Sequence, residues 1–223
     1  GVGNVYIRQH GPGTSYPPYR GGLIGCSSRD YIVWDHFIID DHYAGSTSDT
    51  GPVVFSTSNH CQLINSEVVA HGGSYFHGYT IFDANYRGIS LEPAFFTLIR
   101  NNRIHGFTGA SGGVLAYDSS DNIVEHNEVY DSAQGIYFKG RHSTATMDRN
   151  VIRYNLVYNC RRGIQTESTT DTLIHQNIVY GSSDAQLYSG ALGGPTRTRW
   201  VNNTLYGGAG DGLRHGQQPL CPR

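Results

Sequence analysis

The stretch Asn122-Ile123-Val124-Glu125-His126-Asn127-Glu128-Val129-Tyr130, followed shortly by Gln134-Gly135-Ile136, decides how this chain folds. It holds runs of β-favouring residues, each only a few residues long and each closed by polar or glycine punctuation. Two positions mark it: Ile136, an aliphatic residue directly after glycine and here termed the anchor, and Asn127, termed the slot. No run is long enough for the 3.6-period apolar stripe of a packed helix.

Outward from this stretch, both markers recur. Anchors fall at Leu23, Val53, Ile89, Val114, Ile136, Ile164, Leu187 and Leu213, and glycine precedes six of the eight. Slots fall at His36, Ser66, Asn102, Asn127, Asn155, Asn177 and Asn203. Five of the seven anchor-to-slot intervals are 13 residues, as from Val53 to Ser66. The unit is roughly 22 residues, a solenoid-type period.

Short strands at that period predict a solenoid of parallel strands, its coils stacked about 4.8 Å apart. Asparagine at the slot is expected to take a left-handed bend and to bond the amide of the next coil. Val68, Ile104, Val129, Val157, Val179 and Leu205, two places beyond the slots, are expected to stack inside. Tyr130, Tyr158, Tyr180 and Tyr206, three places beyond, read as a stacked ladder or, alternatively, an adhesive stripe.

The repeat resembles that of the right-handed parallel β-helix proteins, the pectate-lyase-like superfamily. The runs that carry the resemblance are Asn122 to Val129, Gln134-Gly135-Ile136 and Arg162-Gly163-Ile164, and it covers about residues 20–216. The expected fold is all-β: a right-handed parallel β-helix of about seven coils, one domain over residues 1–223, with terminal caps missing or minimal.

Composition narrows the partners. Charged residues are 15% of the chain, against about a quarter in ordinary domains, and the formal charge is −2. A nucleic-acid binder should carry a basic footprint, which this chain lacks. No apolar run approaches the length of a membrane span. The chain begins Gly1-Val2-Gly3, which suggests a processed form or a piece of something longer. Cys26, Cys61, Cys160 and Cys221 allow two disulfides in three connectivities and are compatible with a secreted or extracellular location.

Strand alternation makes the anchor run a readable surface. Three residues past the anchors stand Cys26, Ser56, Glu92, Tyr117, Lys139 and Glu167; one past them stand Ile24, Val54, Ser90, Leu115, Tyr137, Gln165, Tyr188 and Arg214. Lys139 is the only lysine and lies between Tyr117 and Glu167 in its column. The middle coils thus gather acid, base and phenol, which suits a saccharide groove. The plainer alternative is a Lys139–Glu167 ion pair with tyrosines packed beside it.

The resemblance to β-helix lyases implies β-elimination on an acidic polysaccharide, with catalytic Lys139, Arg141 and Tyr117. Lys139 would be the base and Tyr117 or Tyr137 the proton donor. Glu92, Tyr137, Gln165, Glu167, Tyr188 and Arg214 would bind substrate. Hydrolysis fits less well, because Glu92 and Glu167 stand three coils apart, roughly 14 Å at sheet spacing. No metal site is identified, and calcium stays open without a recognisable site. Insertions at residues 40–51, 71–86 and 140–145 are expected to wall the groove, or else to shield edges or meet another subunit. Arg161-Arg162 reads as a solvated pair or, alternatively, as a holder of an anionic sugar. The competing function is a non-catalytic fibre, adhesin or assembly subunit that self-associates through its coil ends.

Overall fold

The computed structural model describes residues 5–8, 23–41, 51–70, 87–108, 112–140, 147–190 and 197–216. The described residues contain no helix, so none crosses a membrane as a helix. Each coil contributes three main short strands, and the second and third add the two-residue strands Ser58–Asn59 and Ala94–Phe95, which pair with each other in parallel. Gln134–Lys139, Val151–Arg153 and Leu156–Tyr158 make one coil; Arg162–Glu167, Leu173–His175 and Ile178–Tyr180 make the next. Corresponding strands pair in parallel from coil to coil. The result is an anchor sheet of eight strands, a second sheet of seven and a third sheet of eight. The chain folds as a right-handed parallel β-helix.

The interior follows from alternation. Ile89, Val114, Ile136 and Ile164 point in from the anchor sheet, Leu63, Ile99, Val124 and Ile152 from the second, and Val68, Ile104, Val129 and Val157 from the third. All twelve are fully buried. Burial of such side chains contributes about 1.5–3 kcal/mol each. Stacking like on like places every aliphatic residue against its equivalents one coil above and below.

The slot amides form the expected ladder. Asn102 Nδ2 donates to Asn127 Oδ1, Asn127 Nδ2 to Asn155 Oδ1, and Asn155 Nδ2 to Asn177 Oδ1, each at 3.0 Å. The left-handed bend is not at the slot, however. It lies one residue earlier, at His36, Asn65, Asn101, His126, Tyr154, Gln176 and Asn202, with φ between 51° and 62°. The slot asparagine is therefore selected for its amide. Its oxygen accepts the backbone N–H of the preceding coil, as Asn155 Oδ1 does from Asn127, and its nitrogen caps a carbonyl, as on Val124. These bonds hold even histidine and tyrosine in a region bulky side chains disfavour.

The first coil corrects the expected register by one residue. Ile24 pairs with Val53 and Cys26 with Phe55, so both point inward, and the outward residues are Gly25 and Ser27. Cys26 is 1% exposed. The glycine before Leu23 imitates an anchor, but the 13-residue interval holds equally from Ile24 to Phe37. Phe37 occupies the slot, and its amide donates to Ser66 Oγ at 3.1 Å.

Among the described residues, the glycines before the anchors are also not turn residues. Gly135 and Gly163 lie inside strands, and a Cβ on either would collide with Val157 or Val179 and with a backbone carbonyl of the next coil. Close approach selects them, not positive φ. Cys26, Cys61 and Cys160 are buried free thiols. Cys221, Arg141, and nearly all of the insertions at 40–51, 71–86 and 140–145 lie outside the described residues.

Candidate functional site on the anchor sheet

The strands Gly112–Tyr117, Gln134–Lys139, Arg162–Glu167 and Ala185–Ser189 carry the sequence-predicted residues. Their register places Tyr117 beside Lys139 and Lys139 beside Glu167. The adjoining column runs Leu115, Tyr137, Gln165, Tyr188, Arg214. The sequence therefore located these neighbours correctly. Their exposure is another matter. Glu92, Tyr137 and Gln165 are only 6%, 7% and 2% exposed, so the face is not the open strip that alternation suggests. Lys139, Tyr117, Glu167 and Tyr188 are partly exposed, and Arg214 is exposed.

Lys139 Nζ lies 5.8 Å from the ring centroid of Tyr117 and 5.9 Å from that of Tyr137. These are cation–π distances. The Lys139–Glu167 ion pair does not form. Glu167 Oε1 instead accepts from Gln165 Nε2 at 2.6 Å, and its stem lies where a Cβ on Gly190 would have to go. Burial pushes the Tyr137 hydroxyl far above the ordinary phenol range, and the charge of Glu167 and a hydrogen bond to it push the same way. Tyr137 is accordingly a fixed neutral donor to Glu167. Its proton is poorly placed to be given away.

The neighbouring arginines belong to the same cluster, which sequence reading missed. Arg162 is not a solvated residue: its guanidinium carbon sits 3.8 Å from the Tyr188 ring centroid. Its Nε donates to Asp184 at 2.6 Å and its Nη1 to Gln165 at 3.1 Å. Arg214 also pairs with Asp184, and Arg161 approaches it at 3.8 Å. Burial opposes ionisation of Asp184, but Arg162, Arg214 and Arg161 outweigh it and hold the carboxyl below its usual range. The signal was available, since Arg162 and Asp184 are 22 residues apart, one repeat unit.

The arrangement offers one lysine over two phenol rings, a glutamate occupied by an amide and a phenol, and an arginine clamp one to three coils on. The strip thus sets ammonium, phenol, amide and guanidinium groups side by side along the anchor sheet.

The sequence profile of a family described as NosD, periplasmic copper-binding protein, matches residues 35–208. No curated protein matches the sequence. Among solved structures, the Dettilon tailspike protein is similar at 18% identity and TM-score 0.57, over 89% of this chain and 46% of that one. PfbA, a surface adhesin of Streptococcus pneumoniae, is similar at 12% identity and TM-score 0.54, over 87% and 58%. An alginate lyase from Paenibacillus sp. str. FPU-7 is similar at 16% identity and TM-score 0.52, over 76% and 57%. The chain thus spans about half the length of these structures, and at such identities the likeness is one of fold.

The family description names copper, and the described residues do not fit it. No three His, Cys, Asp or Glu side chains among them converge as a metal-binding group. Cys26 and Cys61, which do meet, are core residues, and burial pushes the Cys26 thiol up to about 12, the reverse of what a metal thiolate needs.

Proposed function

Because this chain belongs to the NosD family of β-helix proteins, we propose that it is a periplasmic or secreted carbohydrate-active protein that binds an acidic polysaccharide on its anchor-sheet face and cleaves it by β-elimination. The observation that carries this reading is the placement of Lys139, its ammonium over the rings of Tyr117 and Tyr137 and not paired to Glu167. Its register neighbours supply the rest of the chemistry. In its free-amine form Lys139 takes the proton from the carbon beside a uronate carboxylate. The electron pair forms the new carbon–carbon double bond and expels the glycosidic oxygen, which takes a proton from the Tyr117 hydroxyl. Tyr137 is set aside as donor, because burial and Glu167 hold its proton. Arg141, two residues beyond Lys139 in the sequence and outside the described residues, is the cation assigned to the carboxylate. Glu92, Gln165, Glu167, Tyr188 and Arg214 would shape the site, with Gln165 and Glu92 acting from beneath the surface.

The test is the appearance of unsaturated product, read by ultraviolet absorbance, from alginate, polygalacturonate and hyaluronan. Turnover of one of them by the wild type, lost in Lys139→Ala, is expected. Absence of product from all three would overturn the catalytic reading, and equal turnover in Lys139→Ala would overturn the assignment of the base.

A second reading, a non-catalytic subunit that self-associates end to end, draws on the last described coil. There Tyr206 and Leu213 are about half exposed although their columns are stacked elsewhere. Sedimentation at high protein concentration tests it, and a single monomeric species would overturn it.

A further inference from the structure

A second surface, on the opposite side of the coil from Lys139, has the form of a ligand site. At the corner between the second and third sheets a cleft of about 380 Å³ opens across the first three coils. The asparagine ladder ends there. Asparagine gives way to Ser66 and then to Phe37, so the row of amides is replaced by a small hydroxyl and an aromatic ring. The size lies in the range of small-molecule pockets, about 300–1,000 Å³.

The lining has a definite chemistry. Phe37 and Ile38, both half-buried, give an apolar floor. Asn65 and Asn101 stand one coil apart on the left-handed corner, with Asn101 Nδ2 donating to Asn65 Oδ1 at 3.2 Å. Glu67 and Arg103 line the third side. Their charges are already compensated: Glu67 meets His105 Nε2 at 2.9 Å and Arg103 Nη1 at 3.9 Å, while Arg103 donates to Glu128 at 3.2 Å and to the Tyr130 hydroxyl at 3.1 Å.

We propose that this cleft is a subsite for a neutral saccharide. Among the described lining residues, neither charge lacks an opposite partner for a charged ligand to replace. A sugar ring would set its C–H face on Phe37 and Ile38 and exchange hydrogen bonds with the amides, the carboxylate and the guanidinium, groups that alternate donor and acceptor as hydroxyls do. The site is independent of the reading given for Lys139 and lies on a different sheet. It would let the protein hold a neutral glycan while the anchor face engages an acidic one.

Binding of cellohexaose, xylohexaose and mannohexaose, followed by calorimetry and by chemical-shift perturbation, tests the proposal. Saturable binding of at least one is expected, with shifts centred on Asn65, Asn101 and Arg103. Asn101→Gly removes the amide while tolerating the left-handed backbone, and should weaken binding about tenfold. Arg103→Met should do likewise, and Lys139→Ala should leave this binding unchanged. No binding by any of the three hexasaccharides at millimolar concentration overturns the proposal. So does binding that survives both Asn101→Gly and Arg103→Met, or that Lys139→Ala abolishes.

Discussion

The third sheet and the anchor sheet each present an outward column of side chains at the same spacing, yet the columns are built on opposite principles. On the third sheet the column repeats one idea: His105, Tyr130, Tyr158, Tyr180 and Tyr206 stack with centroids 4.6–5.0 Å apart and planes within 10°. On the anchor sheet the column changes at every coil, from Ser56 through Glu92, Tyr117, Lys139 and Glu167 to Gly190. A stacked lattice rewards identity, because a residue that suits one coil suits the next. A column that departs from repetition gives up that gain. Its residues are explained by contacts across the face, such as Gln165 with Glu167 and Arg162 with Tyr188. Variation on an otherwise repeating frame is thus a physical reason to look for a site on the anchor sheet.

Substitutions on the two sheets test this contrast. The largest effect is expected for Lys139→Ala, which should lower turnover of the acidic polymer about 10³-fold and leave the thermal midpoint unchanged. A midpoint that falls by several degrees would make Lys139 a structural residue and erase the distinction between the faces. Asn155→Leu, in the ladder that leads into the third sheet, should destabilise by about 3 kcal/mol in denaturant titration, since it strands the buried donors and acceptors of Asn127, Val124 and Asn177.

Glu125 offers a test with a pH signature. It is buried on the second sheet between Arg100 and Arg153. Burial opposes its ionisation, but hydrogen bonds and charge from Arg153 and Arg100 prevail and hold its carboxyl below 4.5. A carboxyl depressed in the folded state contributes stability at neutral pH that is lost as pH falls from about 4.5 through its folded value. Glu125→Gln should therefore cost about 2 kcal/mol at pH 7, and the gap from wild type should close on acidification. A gap independent of pH would show that packing, not charge, is what the residue supplies. The smallest effect is expected for Tyr158→Phe. It removes the 2.9 Å bond from the hydroxyl to Glu128 but keeps the ring stack, and should cost about 1 kcal/mol or less by calorimetry.

Much of the repeat was legible, for identifiable reasons. Anchors, slots and the tyrosine column are sequence-local, so their 13-residue interval shows without coordinates. His105 was overlooked only because it is not tyrosine; it stands three places past Asn102 like the others. The corner ion pairs were also within reach: Asp121 with Arg149, and Asp171 with Arg197, join left-handed corner residues one coil apart through paired bonds of 2.6–2.7 Å. What the pattern misplaced was the first coil, where glycine before Leu23 outweighed the correct phase, and the bend, which was assigned to the asparagine and not to its predecessor.

The repeat period alone carries the β-helix, the register of most coils and the place of Lys139 between Tyr117 and Glu167. All of these follow from a period that places equivalent residues one above another. Which outward residues see solvent, where Glu167 turns, and the hold of Arg162 on Asp184 beside Tyr188 emerge only from the folded molecule. Burial of an outward face and the direction of a side chain depend on what lies across the surface, and strand alternation carries no information about that.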